Sequence, residues 1–476
     1  MSVTWTEEQK QVIETRNTNL LVSAAAGSGK TAVLVERILS LITDPEHPVD
    51  VDRLLITTFT KAAAGEMKER IGKALNDRLK EDPGNEWLQR QESLVHRAQI
   101  TTIHGFCLYV IRNYFHTIDL NPNFRIADEG EMKLLKQDTA KEILEEAYEK
   151  KDPAFLKFAD SYGSGNRGSG LEDMILGLYE YAVASPQPVR WLTHCADVYD
   201  MPEEGNWKDF AGQEEILKEL RLTAGDCLYE IRKTRALCRL PGGPEPYEGV
   251  LLADETMIQE LIDCQDVGVF REKWEQLSYG RLPSRRAKVM ADADEELCDR
   301  IMAMRNEVKD LLKGLGKQYF QISDEEQFQQ LRETKENVAA YGELTLAFLN
   351  RLNEKKRKKN ILDFADQEHL ALQILTREEE GELVPSETAD LFADYFEEIM
   401  VDEYQDSNLV QEAILNSISK SRKGRDNRFM VGDVKQSIYR FRQAEPGLFL
   451  GKYAAYGEKN GGVRIDLHRN FRSRGE

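Results

Sequence analysis

Short apolar runs and long stretches of helical periodicity alternate unevenly along this chain and divide it into three parts. From Met1 to about Arg125, brief apolar runs (Leu20–Val22, Leu54–Thr58) sit between helical patterns, the rhythm of an α/β domain built on a parallel sheet. Leu54–Thr58 reads as a buried strand, and Lys61–Leu79 as the helix that follows it. From about Ala127 to Lys359 the pattern turns helical. Apolar residues recur at three- and four-residue spacing over Glu131–Glu149, Gln213–Thr234, Glu296–Leu312 and Glu326–Leu352. Gly163–Gly170 breaks this region as a flexible loop, and Leu240–Tyr247 as a Pro/Gly turn cluster. Strands return after Asn360, at Glu398–Val401 and Phe429–Val431. The predicted fold is α/β: a parallel-sheet domain interrupted by a large, mainly helical insertion. No solenoid-like repeat is present.

Each predicted strand runs into residues with distinctive chemistry. After Leu20–Val22 comes Ser23 and the loop Ala24-Ala25-Ala26-Gly27-Ser28-Gly29-Lys30-Thr31. A strand that breaks into a glycine-bearing loop ending in Lys-Thr points backbone N–H groups at phosphates. Lys30 would reach the β and γ oxygens and Thr31 would coordinate Mg²⁺. Ala24 stands where the usual motif has its first glycine, and a small-residue strand–helix turn has the same composition. The strand Glu398–Val401 delivers Asp402 and Glu403 to its C-terminal end, the ligand-binding end of an open parallel sheet. Asp402 would hold the metal and Glu403 would act as general base toward water; an acidic strand end capping a helix fits the same residues. After Phe429–Val431, Gln436 would sense the γ-phosphate. Tyr439, Arg440, Phe441 and Arg442 then alternate rings with guanidinium groups, a composition suited to single-stranded nucleic acid or to an amphipathic helix with a buried aromatic face. Asp433-Val434-Lys435 superficially resembles a nuclease D-x-K, but its place between strand and Gln436 favours an ATPase.

Composition narrows the class without choosing the function. The chain has 476 residues, enough for about three domains, and 41% hydrophobic with 31% charged residues describes an ordinary globular protein. No apolar run spans a bilayer, and the N-terminal residues lack a signal-like region. Six cysteines without C-x-x-C spacing argue against zinc or iron–sulfur centres and fit a reducing compartment, so a cytoplasmic location is expected. The net charge of −20 is a bulk property and leaves room for a local basic groove. The run Lys355–Lys359 reads as a solvated helix end or as a phosphate contact.

Together these motifs resemble the superfamily 1A DNA helicases of the UvrD/Rep type. The similarity is greatest to the A subunits (AddA/RexA) of the bacterial AddAB helicase–nucleases, and it runs from Thr6 to Ser473 in the order the family requires. The resemblance implies a RecA-like P-loop NTPase domain, use of ATP and Mg²⁺, and ATP-driven 3′→5′ movement on DNA in double-strand-break repair. A B subunit of AddB/RexB type is the implied partner. Thr6 and Gln9 resemble the family's adenine-reading element. Thr57, Phe59 and Thr60, with Glu66, Met67 and Arg70 behind them, resemble its first single-strand-binding motif, and Thr102 and His104 its second. Phe471 is assigned to stacking on adenine and Arg472 to the γ-phosphate. Expected domains are a first motor part (1–125), a helical insertion (126–359), a second motor part (360–465) and the start of a second RecA-like domain (466–476). Later helicase motifs and a nuclease domain are missing after Glu476, so the chain is expected to be an N-terminal fragment with weak hydrolysis of its own. Two other readings remain: a UvrD/PcrA-type repair helicase without a nuclease partner, and a non-catalytic ATP-binding module on DNA.

Overall fold

In the computed structural model the described residues are 5–25, 27–163, 170–437, 443–457 and 461–471. Six strands form one wholly parallel sheet: β1 (Leu20–Ala24), β2 (Leu54–Thr58), β3 (Gln99–Thr102), β4 (Glu398–Asp402), β5 (Arg428–Gly432) and β6 (Val463–Leu467). Their order across the sheet is β6-β1-β5-β4-β2-β3. Two of the three sheet strands that arrive after the insertion, β4 and β5, slot between β1 and β2, which are neighbours in sequence but not in space, and the third, β6, adds at the edge beside β1.

Why these short runs are strands follows from burial on both faces. Along β1, Leu20, Val22 and Ala24 pack into one core and Leu21 into another; along β2, Leu54 and Ile56 alternate with Leu55 in the same way. Continuous apolar runs are what a sheet covered by helices on both sides requires. The first core is completed by helices Lys30–Ile42 and Lys61–Glu81, the second by Ile103–Tyr114, Phe364–Leu375 and Leu409–Ser417. Glu398 opens β4 inside the core, where Arg37 meets it at 2.6 Å and stacks on the Phe429 ring. A buried carboxylate is tolerated there because it is paired.

The chain divides into two compact units, 1–144 with 172–191 and 345–476, and 145–171 with 192–344. The first contains the parallel sheet. In it, Arg125–Ile126 pairs with Ile361–Leu362 in a two-residue parallel ladder that draws together the two ends of the long excursion. The second unit is helical among its described residues. Helices Gln213–Leu237, Glu248–Ile262 and Glu295–Tyr319 surround Leu220, Ile231, Ile258, Phe270 and Ile301.

The strand expectations for Leu54–Thr58, Glu398–Val401 and Phe429–Val431 match β2, β4 and β5, the last two being longer by one or two residues. The helix Leu171–Ala182, with Tyr179 against Phe348, belongs almost wholly to the sheet unit. At the far end, Asp466 and Leu467 pair with Ser23 and Ala24, so β6 carries the first sheet past residue 465. The basic run Lys355–Lys359 ends the helix Asp324–Lys359. Lys356 is buried between Asp363 and Asp366, and Lys355 pairs with Glu142, so neither is a bare solvated charge.

Candidate nucleotide site and nucleic-acid face

Because all six strands run the same way, their C-terminal ends share one edge of the sheet, and the expected functional residues collect there. The loop after β1 turns through Gly27 (φ +78°) and Gly29 (φ +84°), left-handed positions that suit glycine. A Cβ on Gly29 would also stand 3.3 Å from Gln9 Nε2. Gly29 caps the helix that begins with Lys30 and Thr31, so unpaired N–H groups of the first helical turn face the loop. Ala25 accepts from the Ser28 N–H at 3.1 Å. The Ser28 hydroxyl is buried with no hydrogen-bond partner among the described residues, as in a cradle meant for an acceptor-rich ligand. Ala26 lies outside the described residues.

Thr6 and Gln9 brace this loop from behind. They form a capping box on the helix Glu7–Glu14, and the Gln9 amide donates to the Ser28 carbonyl at 3.1 Å. The chain leaving β6 runs on to Phe471, whose N–H donates to the Gly27 carbonyl at 2.8 Å while the residue is 58% exposed. The segment is thus tied to the loop after β1 by its backbone, with Phe471 largely exposed. Arg472 lies outside the described residues.

Across the edge, Lys30 meets Glu403 at 3.2 Å, with its own side chain only 13% exposed. These residues are 373 positions apart in the chain. Glu403 holds a left-handed backbone (φ +55°) directly after β4, an uncommon conformation for a residue with a side chain. Asp402 ends β4. Burial, and then the Glu403 carboxylate beside it, push its carboxyl up to about 6 against the pull of Lys30. Two carboxylates crowded beside one lysine make a site that favours added positive charge, and hard oxygen donors such as Asp402 and Thr31 suit Mg²⁺.

Beyond Glu403 the contacts pass to β5. Gln405 donates to Glu403 Oε2 at 2.8 Å and accepts from the Asp433 N–H at 2.9 Å. Asp433 in turn accepts from Gln436 Nε2 at 2.6 Å, which fixes the Gln436 side chain close to the same edge. Ser437 donates to Asp406 at 3.2 Å. Tyr439, Arg440, Phe441 and Arg442 lie outside the described residues.

The other end of the edge, at β2 and β3, holds the expected DNA residues. Thr60 is exposed and caps the helix Lys61–Glu81, and Phe59 beside it is half-buried. Thr102 caps the helix Ile103–Tyr114, which carries His104 in its first turn. Thr57 is a different case. Its hydroxyl is buried and donates to the Met400 carbonyl at 3.2 Å, because β2 is an inner strand, so Thr57 is not carried forward as a contact residue. His104 bonds the buried Glu368 at 3.2 Å. Burial would raise that carboxyl, but His104, Asn408 and Gln411 together hold it below the usual carboxylate range. Against the His104 ring, at 5.4 Å and nearly perpendicular, stands Phe364, 64% exposed.

Two of these residues had no role in the sequence expectations. Phe364 follows the capping residue Asp363 at a solvent-facing turn of its helix, and an exposed aromatic there was the available signal. Gln405 had no signal beyond its place in Asp402–Asp406, since its partners come from other strands.

Residues 5–457 match the family model described as the UvrD/REP helicase N-terminal domain. The chain belongs to this family. Curated relatives, each named as the A subunit of an ATP-dependent helicase/nuclease, include that of Lachnoclostridium phytofermentans, 44% identical over 99% of this chain and 34% of its own length. That of Clostridium perfringens is 44% identical over 100% of this chain and 38% of its own length. The Bacillus velezensis protein is 42% identical over 99% and 38%. The chain therefore spans between 34% and 38% of the length of these relatives. Among its described residues no helix is long and apolar enough to cross a membrane.

Proposed function

We propose that this chain carries the ATP-hydrolysing motor of a DNA helicase, and that it works as the A subunit of a helicase–nuclease with a B-type partner at DNA double-strand breaks. The observation that carries the reading is the meeting of Lys30 with Glu403, next to Asp402, at the rim of a glycine-turned phosphate loop. The name shared by the relatives supports its place as an A subunit.

In this reading the loop Ala24–Lys30 and the first turn of its helix bind the polyphosphate through N–H groups, and Lys30 moves from Glu403 onto phosphate oxygens. A bound Mg²⁺ would be held by Thr31 and Asp402 and would supply neutralising charge to the phosphates. Glu403, freed from Lys30, orients the attacking water and accepts its proton. Gln436 reports on the γ-phosphate through a neutral amide, with Arg472 as a further γ-phosphate contact. Phe471 offers its ring to the adenine, and Thr6 and Gln9 hold the loop from the adenine side.

DNA lies over the β2–β3 end, against Phe59, Thr60, Thr102, His104 and Phe364, and reaches Tyr439, Phe441 and Arg442 beyond Ser437. The sheet unit is the first motor domain, the helical unit its insertion, and movement is 3′→5′ in the cytoplasm. The relatives are named helicase/nuclease subunits, and this reading assigns the nuclease chemistry to their length outside the 34% and 38% matched here. Lys30→Ala in the natural full-length protein tests the reading: ATP turnover falls at least about a hundredfold while single-strand affinity stays within threefold. Wild-type turnover in that variant overturns it.

A further inference from the structure

We infer that Gln405 is a positioning residue of the hydrolytic site, its carboxamide tying the Glu403 carboxylate to the turn that presents Gln436. The inference rests on the ATPase reading above and adds a residue to it.

Gln405 is 1% exposed, and both ends of its amide are used across two strands. The Asp433 backbone N–H can only donate, so the carbonyl oxygen of Gln405 must face it, at 2.9 Å. That leaves the NH₂ group for Glu403 Oε2 at 2.8 Å, and the orientation of the amide is set by its partners.

Gly432 enforces the arrangement. A Cβ there would stand 2.2 Å from Gln405 Oε1, so the strand must be bare where the amide crosses it. On the far side, Asp433 accepts from the Lys435 N–H at 3.0 Å and from Gln436 Nε2 at 2.6 Å. One side chain therefore bridges the general base just after β4 and the turn after β5.

The chemistry of an amide suits this task. Lys30 also holds Glu403, but Lys30 is the residue that must transfer to phosphate. A neutral donor keeps the carboxylate aimed after the lysine leaves, without neutralising the charge a base needs. Backbone strain at Glu403 (φ +55°) adds to the need, because a side chain on a strained turn requires an outside anchor.

The test uses the natural full-length protein and steady-state ATPase assays on single-stranded DNA. Gln405→Met matches the side chain's length and removes all three of its hydrogen bonds, to Glu403, to Asp406 at 3.3 Å and from the Asp433 N–H. It is expected to lower kcat between tenfold and a hundredfold while KM for ATP stays within threefold. Gln405→Glu keeps an acceptor for Asp433 and replaces the donor that Glu403 and Asp406 share, so it should lose kcat at least as severely. Loss in the first variant with wild-type kcat in the second shows that folding, not aim, was disturbed, and overturns the inference. Glu403→Gln in parallel separates the two levels. Full turnover there overturns the site reading and this inference with it. Loss there beside wild-type kcat in Gln405→Met overturns this inference alone.

Discussion

Glu412→Gln is the substitution whose consequence the structure defines most closely. Glu412 is buried on the helix Leu409–Ser417 and accepts from Arg428 at 2.6 Å, from Lys452 at 2.9 Å and from the Tyr404 hydroxyl at 2.9 Å. Burial works against its charged form, yet Arg428 and then Lys452 outweigh it and bring the carboxyl down from 4.5 to about 2. At about 1.4 kcal/mol for each unit, the carboxylate contributes about 3 kcal/mol at neutral pH. An independent route gives the same size. Removing one partner of a buried pair costs about 3–5 kcal/mol, because Arg428, buried at the start of β5, loses its countercharge.

The sign follows from the direction of the shift. A depressed carboxyl stabilises the fold above its unfolded value, near 4.5, and that contribution drains away as pH falls toward about 2. Urea titration, read by hydrogen exchange in peptides from β4 and β5, should show Glu412→Gln about 3 kcal/mol less stable at pH 7. The gap between variant and wild type should narrow below pH 4.5. A gap under about 1 kcal/mol at pH 7, or one that widens in acid, would refute the argument. Tyr404 directly follows Glu403, so the same network anchors the turn that carries the proposed general base.

Two further outcomes follow from the site. Phe364→Ala should weaken single-strand binding by about 1–3 kcal/mol, the value of one stacked base, and salt-matched anisotropy titrations that show no change would remove Phe364 from the DNA face. Gly29→Ala forces a side chain into a left-handed position (φ +84°) and within 3.3 Å of Gln9, so nucleotide affinity should fall about tenfold or more, as read by equilibrium binding of a fluorescent ATP analogue.

Local structure was readable from the residues in order. Leu54–Thr58 is a strand because every position is apolar or small enough to be buried on both faces, and the turn after β1 needs glycine whatever surrounds it. Asp402 and Glu403 stood out because they put two acids at the end of an apolar run. Such features depend on a few neighbouring side chains, and neighbours in sequence report them faithfully.

Where the chain returns to itself, that legibility ends. Nothing near Lys30 specifies that β4 and β5 enter beside β1, or that Gln405 spans them; sheet order is fixed by how helices from distant segments cover both faces. The same cause buried Thr57 on an inner strand, turned Lys356 inward against Asp363 and Asp366, and set Phe364 beside His104. A side chain's character is carried in its own atoms, but its exposure and its partners come from packing across hundreds of residues.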